Sequence, residues 1–342
     1  MTAWYVEHGP EGDVVVSSRI RLARNVKETP FPVHMSREQG EQIIEKAKQV
    51  LLGSGNGAAH VFDYFSMNEL NAVDKQVLVE KHLISPEMLQ DVHSRGVLLS
   101  KDECVSVMLN EEDHLRIQCI FSGMKLDEAW DLANKIDNLI EQEVEYAYSE
   151  NYGYLTCCPT NAGTGLRASV MIHLPALTIT RYINSLLNAV GKLGIAVRGL
   201  YGEGTEARGH FFQISNQVTM GMSEEDTLEN LKGIVRQIIE QERLARRKLF
   251  HENRERLEDR LYRSYGIFSN ARIMSSQEFM KLLSDVRLGI NLEIIKGISL
   301  KKMNELMIAT QPANIIKRFD GNLSAEQRDM KRAEMIRNTM DH

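Results

Sequence analysis

Strand-forming patterns end near residue 219, and this division limits the possible folds more than any other feature of the chain. Residues 265–342 contain three or four helical patterns and no convincing strand. The pattern favours the α+β class, and we predict two domains, residues 1–255 with a sheet and residues 256–342 built from helices alone. Runs of β-branched residues and short alternating segments predict strands over residues 13–22, 104–109, 115–121, 170–174, 195–198 and 211–219.

Helical patterns fill much of the remaining sequence. Amphipathic spacing predicts helices over residues 125–148 and 176–190. A longer helix begins after Ser223, whose side chain suits the N-cap position, and has three carboxylates in its first turn. It continues into residues 240–264, where opposite charges are interspersed as on a solvated helix. We place the domain boundary in this charged stretch, near residue 255.

Charge and cysteine usage exclude several classes of protein. The formal net charge of −6 argues against a bulk polyanion-binding protein, so we expect no direct contact with nucleic acid. The four cysteines form no C-x-x-C pair, and we predict no metal site. No apolar stretch reaches about 18 residues, and the first ten residues do not resemble a signal peptide. We therefore expect a cytoplasmic protein with reduced thiols and no membrane partner.

The run CPTNAGTGLRAS, residues 158–169, is too rich in small and turn-forming residues for the interior of a helix or strand. Gly163 and Gly165 allow the backbone to approach a ligand closely or to adopt a positive φ. Arg167 adds a planar guanidinium that suits phosphate oxygens. The run is interpreted either as a phosphate-binding loop or as a glycine-rich turn with a solvated arginine.

Further arginines lie beside polar turns or at strand ends. In the strand predicted over residues 13–22, Arg19 and Arg21 share one face because side chains alternate along a strand. The sequence contains neither a Walker-type phosphate loop nor the motifs of ordinary protein kinases. A cluster of guanidinium groups could replace such a loop, since phosphoryl transfer depends mainly on positioning and on compensation of negative charge. Any one of these residues could instead be solvated; the set consists of Arg19, Arg21, Arg116, Arg167 and Arg198.

Carboxylates accompany the arginines. Glu111 and Glu112 lie at the predicted connection of a hairpin, and Glu203 follows a short strand. A guanidinium group is protonated up to a pKa above about 12, so it becomes a nucleophile only if a base removes a proton. Carboxylates can orient the planar group through paired hydrogen bonds and can accept that proton. The alternative for Glu111 and Glu112 is an ordinary acidic turn.

Four segments together resemble the motifs of the phosphagen (guanidino) kinases, in the order found in that family. The resemblance implies an antiparallel sheet flanked by helices and an ATP-dependent phosphotransferase that acts on a guanidino group. The segments are SSRIRLARN (17–25), NEEDHLRI (110–117), CPTNAGTGLRAS (158–169) and RGLYGEGTEA with QISN (198–207 and 213–216).

The same resemblance implies a role for each matching residue. The five arginines, Arg19, Arg21, Arg116, Arg167 and Arg198, would bind the ATP phosphates, and His82 would lie beside the nucleotide base. Glu112 would be the catalytic base, Glu203 the second carboxylate on the guanidinium, and Cys158 a nearby thiolate. Mg²⁺ would be held mainly by phosphates and water, as that ion prefers. Met171 stands where many members of the family have His, a departure at the contacts to the nucleotide base.

Two departures from the phosphagen kinases of small substrates suggest the subfamily. The first motif begins at Ser17, so the helical domain that closes over a small guanidine is not found before it. The chain instead carries the helical segment 256–342. This combination resembles the bacterial protein-arginine kinases of the stress response, and we expect a bulky, protein-borne arginine as the acceptor. The resemblance also implies a homodimer, allosteric regulation, a small zinc-binding activator, a heat-shock transcriptional repressor as substrate, and an AAA+ unfoldase-protease that degrades marked proteins.

The C-terminal segment contains a further motif. Arg328 and Arg332 are spaced i, i+4 on a predicted helix, with Asp329 between them. Two guanidinium groups and one carboxylate could bind phosphoarginine, and the run RDMKRA resembles the phosphoarginine-binding motif of the protein-arginine kinases. The alternative is a solvated charge pattern without a ligand.

Two other functions remain compatible with these residues. One is a small-guanidine kinase that acts on free arginine. The other is a regulatory module that only recognises phosphoarginine, although Glu112, Glu203 and the five arginines argue against a degraded catalytic site.

Overall fold

The computed structural model describes residues 3–53, 62–90, 94–199 and 207–340. Eight strands form one sheet in the order β2-β3-β4-β5-β1-β8-β10-β9, and every neighbouring pair is antiparallel. The remaining two, β6 and β7, make a small hairpin. The strands are β1 (Val15–Arg24), β2 (Phe62–Ser66), β3 (Gly96–Ser100), β4 (Val105–Leu109), β5 (Leu115–Ser122), β6 (Tyr148–Ser149), β7 (Gly153–Tyr154), β8 (Leu166–His173), β9 (Ile195–Gly199) and β10 (Phe211–Asn216).

Helices cover one face of the sheet and form the C-terminal region. Short 3₁₀ turns occur at Pro86–Leu89, Pro159–Asn161 and Arg208–His210. None of the described helices combines the length and the apolar character needed to cross a membrane. The α-helices are α1 (Arg37–Leu52), α2 (Ala72–Glu80), α3 (Leu126–Glu141), α4 (Pro175–Ile179), α5 (Ile183–Gly191), α6 (Glu224–Glu252), α7 (Arg254–Asn270), α8 (Ser276–Asn291), α9 (Leu300–Ala309), α10 (Pro312–Phe319) and α11 (Ala325–Met340).

The two faces of the sheet differ sharply in polarity. On β1, Ile20 and Leu22 are fully buried and pack in a core shared with α1, α3 and α6. The alternate residues of β1, Arg19 and Arg21, point to the opposite face. The antiparallel sheet flanked by helices therefore confirms the α+β class. The apolar face anchors the sheet, and the part of the opposite face that carries the arginines is left for a site.

The C-terminal helices α7–α11 enclose a second core around Phe268, Phe279 and Met307. Trp4 and Phe211 from the sheet-containing region are buried in the same core. The backbone leaves helical geometry at Asn253, where α6 ends and α7 begins. Because α6 contributes side chains to both cores, the helical region is packed firmly against the sheet. The division at residue 255 into two domains stays a prediction.

Several predicted elements have different limits in the structure. The helix expected over 176–190 is divided at Arg181, whose positive φ of 62° no regular helix accommodates. Strand β8 begins at Leu166, four residues before the predicted start, so Arg167 lies within a strand. Strands β2 and β3 were not predicted at all.

Candidate active site

The register of the sheet brings the predicted arginines to one face. Arg21 lies opposite Arg167 on β8, and Ala23, on the same face of β1, lies opposite Arg116 on β5. On the far side, Gln213 of β10 lies opposite Arg198 of β9. All five predicted arginines line a single cavity of about 1010 Å³, together with His82, Glu111 and Glu112. The strands thus hold in fixed positions groups that are distant in sequence.

Among the described residues, little counter-charge faces these arginines apart from the one that pairs with Arg116. Arg19 donates from Nη2 to Gln213 Oε1 over 3.0 Å, while burial and the charges of Arg116 and Arg167 lower its pKa to about 10. Burial and the same neighbours, with Arg19, lower the pKa of Arg21 well below its usual value. The Nε atoms of Arg21 and Arg167 are buried without a hydrogen-bond acceptor. Such clustered, unsatisfied donors favour a multiply charged anion in the cavity.

Glu111 holds Arg116 in place. It is 2% exposed, and both of its carboxylate oxygens accept from Arg116 Nη1 over 2.7 Å. Ser85 Oγ donates to the same carboxylate. Burial alone would raise the pKa of Glu111, but the charge of Arg116 and these hydrogen bonds outweigh it and lower the pKa. The Glu111 carboxylate therefore serves as the counter-ion of Arg116.

Glu112 has the opposite environment. It is half-buried and lines the cavity, and no described residue donates a hydrogen bond to its carboxylate. Burial raises its pKa, and the charges of Asp113 and Glu111 raise it further. Asp113 fixes the adjacent backbone, since its Oδ1 accepts from Asn25 Nδ2 and from the backbone N–H of Cys157, each over 2.7 Å. Glu112 is thus an unpaired carboxylate on a rigid turn, as a proton acceptor must be.

The loop before β8 is shaped by glycine. At Gly163, φ is +104°, and a Cβ atom would lie 2.1 Å from the carbonyl oxygen of Thr219. The Cys158 thiol lies 3.0 Å from Thr160 Oγ1 at the start of a 3₁₀ turn. Cys157 lines the cavity itself, whereas the half-exposed Cys158 lies beside it on the loop. The tight loop therefore carries two adjacent thiols to the edge of the arginine cluster.

A buried ion pair beneath this loop was missed by sequence reasoning. Arg24 is 2% exposed and donates to Asp137 Oδ2 from Nε and Nη2, over 3.0 and 2.6 Å. Its Nη1 donates to the carbonyl of Thr164, and its guanidinium lies 3.6 Å from the centre of the Tyr154 ring. The available signal was strand alternation, which puts Arg24 on the face opposite Arg21. Arg24 is a structural anchor for the loop.

His82 lies on the opposite wall of the cavity. Its backbone has a positive φ of 60°, and its carbonyl accepts from Gln118 Nε2 over 2.9 Å. The Trp4 indole, which is fully buried, donates to the carbonyl of Lys81, and its ring centre lies 5.6 Å from that of His82. Burial and the charge of Arg19 lower the pKa of His82 to about 3. The imidazole is therefore neutral, and Trp4 and Gln118 are supporting residues that no motif revealed.

Two predicted site residues lie at the end of β9 or in the sequence that follows it. Glu203 lies outside the described residues, and Arg198 is exposed at the end of β9 next to that segment. Met171 closes a small pocket with Arg19 and His82. Its thioether therefore lies near His82, the residue predicted to lie beside the nucleotide base.

Arg328 and Arg332 of the C-terminal motif both lie on α11, four residues apart, but differ in burial and in partners. Arg332 is 1% exposed and donates to the carbonyls of Thr310 and Met274 over 2.9 and 2.8 Å, and it also pairs with Asp329. Arg328 is half-buried, and no described side chain pairs with it. Arg332 is thus a structural residue of the helical region, and Arg328 is the guanidinium left for a ligand.

The helical region also contacts the wall of the cavity. Glu80, the last residue of α2, accepts hydrogen bonds from the backbone N–H groups of Ala313 and Asn314 over 2.9 and 3.0 Å. The carboxylate caps the N-terminus of α10, where it meets the positive end of the helix dipole. Glu80 lies two residues before His82, and Gln311 lines the cavity directly. The C-terminal helices and the cavity therefore share one packed boundary.

Comparisons with known proteins agree with this arrangement. The family model for the ATP:guanido phosphotransferase C-terminal catalytic domain matches residues 42–245, and the model for the protein-arginine kinase McsB C-terminal domain matches residues 254–342. The protein-arginine kinase of Caldanaerobacter subterraneus subsp. tengcongensis is 54% identical over 95% of this chain and 96% of its own length. That of Bacillus subtilis is 52% identical over 98% of this chain and 93% of its own length.

Two solved kinase structures are also similar to this chain. The duplicated taurocyamine kinase of Schistosoma mansoni with bound transition state analog components is 27% identical, with a TM-score of 0.60 over 70% of this chain. The aligned region spans 35% of that longer chain. Lombricine kinase, at 24% identity, shares the fold with a TM-score of 0.61 over 70% of this chain and 68% of its own.

Arg21→Met tests whether the arginine cluster is built for an anion. Removing an unpaired buried charge should leave the unliganded protein at least as stable, with a gain of about 1 kcal/mol in the free energy of unfolding. The same change should abolish the rise in melting temperature that ATP causes, because donors to the phosphates are lost. Thermal and urea unfolding with and without ATP measure both effects.

Arg24→Met is the matched control, since Arg24 lies on the same strand but is paired. It should lower the free energy of unfolding by about 3 kcal/mol, because Asp137 is left buried and uncompensated. Equal destabilisation by the two substitutions, or a preserved response to ATP in Arg21→Met, would contradict the assignment.

Proposed function

The chain belongs to the ATP:guanido phosphotransferase family and is a protein-arginine kinase within it, and from this premise we propose how its side chains perform the reaction. The observation that carries the proposal is the set of five arginines around one cavity with an unpaired carboxylate at its edge. The donors fit a nucleotide polyphosphate, and the carboxylate fits a guanidinium group.

The arginines would position ATP and stabilise its charge. Arg19, Arg21 and Arg167 present buried donors with little counter-charge, so phosphate oxygens relieve their mutual repulsion. Arg116 is oriented by Glu111 and adds a donor of fixed geometry, and Arg198 would close the cluster from β9. Because these groups are held by strands, they need little rearrangement when negative charge shifts during transfer.

The acceptor nitrogen would be activated by carboxylates. We assign the base to Glu112, whose raised pKa favours proton uptake more than that of the paired Glu111. The nitrogen lone pair attacks the γ-phosphorus, the bond to the β,γ-bridging oxygen breaks, and the guanidinium proton passes to Glu112. The products are phosphoarginine and ADP. Glu203 would orient the far side of the guanidinium, and the Cys158 sulfur would contact it.

Mg²⁺ and the nucleotide base would meet different parts of the cavity. Within the described ranges, no three His, Cys, Asp or Glu side chains are grouped as a metal site. A Mg²⁺ ion held mainly by phosphate oxygens and water fits such a lining, with Glu112 as the unpaired carboxylate nearby. When bound, the ion would neutralise phosphate charge. The neutral ring of His82 would lie against the base, beside Met171.

The helical region would bind phosphoarginine and thereby regulate the enzyme. Arg328 would bind the phosphoryl group, and Asp329, anchored by Arg332, would bind the guanidino group. The contact of Glu80 with α10 supports coupling between this region and the cavity. The subfamily resemblance further supports a homodimer in the cytoplasm, a zinc-binding activator and a heat-shock repressor as partners, and delivery of marked proteins to an AAA+ unfoldase-protease.

Mass spectrometry of a reaction with ATP, Mg²⁺, an unfolded protein and free arginine tests the function. We expect a phosphoryl group on arginine side chains of the protein, the acceptor that the names of the matched protein-arginine kinases indicate. The matched sample without ATP is the control. Phosphorylation of free arginine but not of the protein would identify a small-guanidine kinase. ATP binding without release of ADP on either substrate would identify a binding module.

Glu112→Gln should lower kcat by about 10²- to 10⁴-fold, because it removes the proton acceptor while preserving the size of the side chain. The melting temperature and the affinity for ATP should change little, since no described residue depends on this carboxylate. Glu111→Gln is the matched control: it should weaken ATP binding by releasing Arg116. Undiminished turnover in Glu112→Gln would reject its assignment as the base.

Arg328→Ala should weaken the binding of phosphoarginine, measured by calorimetry, by about tenfold, because a charge-assisted pair is lost. Turnover without added phosphoarginine should be retained. Arg332→Ala should instead lower the melting temperature, since Arg332 holds two buried carbonyls. Unchanged phosphoarginine affinity in Arg328→Ala would remove Arg328 from the binding site.

A further inference from the structure

A second groove lies behind the glycine loop, outside the arginine cavity. Its volume is about 380 Å³, and its lining combines tyrosine and methionine side chains from two segments with glycine and polar residues. The hairpin β6–β7 contributes one wall, and the segment after β10 contributes the other. We call it the tyrosine groove; its principal side chains are Tyr148, Tyr152, Tyr154, Met220 and Met222.

These side chains are unusually exposed for their type. Tyr148 and Tyr152 are 60% and 59% exposed, and Met220 and Met222 are 44% and 38% exposed. Val218, in the same segment as the methionines, is also exposed. Several exposed aromatic and methionine side chains grouped at one groove commonly mark a site of protein interaction, whereas isolated exposed apolar residues need no explanation.

The groove is joined directly to the loop that carries Cys158. The backbone N–H of Tyr154 donates to the carbonyl of Gly163 over 2.8 Å, and that of Thr164 donates to Thr219 over 2.9 Å. Gly163 and Thr164 themselves form the floor of the groove. Cys158 is five residues from Gly163, so the two are separated by at most about 18 Å. An extended peptide of about six residues can therefore reach from one to the other.

The charge around the groove favours a basic peptide. Glu224 is part of the lining, and no lysine or arginine is among the residues that form it. Glu150, Glu225 and Asp226 are exposed in the same two segments. Tyrosine faces also attract guanidinium and ammonium groups. The surface thus combines apolar contacts with a negative rim, which suits a segment that carries arginine among apolar residues.

We propose that the tyrosine groove binds apolar residues that flank the target arginine of the protein substrate, within about six positions of it. The inference rests on the proposed function, because it assumes that the acceptor guanidine belongs to a polypeptide. An exposed apolar neighbour is typical of an unfolded chain, since folded proteins bury such residues. The groove would therefore select arginines in unfolded segments over arginines on intact surfaces.

Steady-state kinetics on two acceptors test the proposal. One acceptor is a synthetic peptide with leucine and phenylalanine within six positions of a single arginine, and the other is N-acetylarginine amide. In the double variant Tyr148→Ser/Tyr152→Ser, kcat/KM for the peptide should fall about tenfold, through KM. The value for N-acetylarginine amide should remain within about twofold, because this small acceptor does not reach the groove.

Tyr182→Ser is the matched control, since Tyr182 is 58% exposed and does not line the groove. An independent variant, Met220→Lys, should weaken the peptide reaction similarly by placing positive charge at the rim. An arginine-free version of the peptide, labelled with fluorescein, should bind the unmutated protein, and its fluorescence anisotropy should rise. With the double variant, the anisotropy should rise less, because the peptide binds more weakly.

Three results would overturn the proposal: unchanged peptide kinetics in the double variant, an equal loss with Tyr182→Ser, or an equal loss on N-acetylarginine amide. Loss of self-association in the double variant, with unchanged peptide kinetics, would assign the groove to a second copy of the chain. A failure of the proposed function would look different, because the unmutated protein would then phosphorylate neither acceptor, as expected of a binding module, or only N-acetylarginine amide, as expected of a small-guanidine kinase.

Discussion

Electrostatic repulsion among arginines on one sheet face is the constraint around which this protein is organised. Arg21 faces Arg167 across two paired strands, and Arg19 lies two residues away on the same side. Among the residues that the structure describes, Glu111 provides the direct buried counter-charge to this cluster, and it is used by Arg116. The opposite, apolar face must supply the stability that keeps these charges together, through the core shared with α1, α3 and α6. The paired strands that hold the arginines rigidly in place thus also give the cavity its affinity for anions.

The ion pair between Glu111 and Arg116 also gives the adjacent carboxylates of Glu111 and Glu112 different properties. One is ion-paired, with a lowered pKa, and its neighbour is unpaired, with a raised pKa. The turn that connects β4 and β5 achieves this by fixing Asp113 between Asn25 and Cys157. A single hairpin connection therefore supplies an orienting group for the phosphate side and a candidate base for the guanidine side.

Sequence patterns revealed the arginine set because strand alternation and motif order both pointed to it. They predicted the sheet and helical regions for the same reason, since periodicity reflects which face is buried. The motifs alone do not distinguish Arg24 from the cavity arginines; the alternation of side chains along β1 does. Nor do the motifs show that Arg332 is enclosed by backbone carbonyl groups from distant segments. The break at Arg181 and the supporting roles of Trp4 and Gln118 depend on tertiary contacts, which local patterns do not encode.

The position of Trp4 has a practical consequence. The chain contains two tryptophans, and Trp4 is fully buried beside His82 at the cavity wall, whereas Trp130 belongs to α3 on the other side of the sheet. Indole emission depends on nearby polar groups and on water. With Trp130 replaced by phenylalanine, Trp4 becomes an intrinsic fluorophore that reports on occupancy of the cavity without a label or a coupled assay.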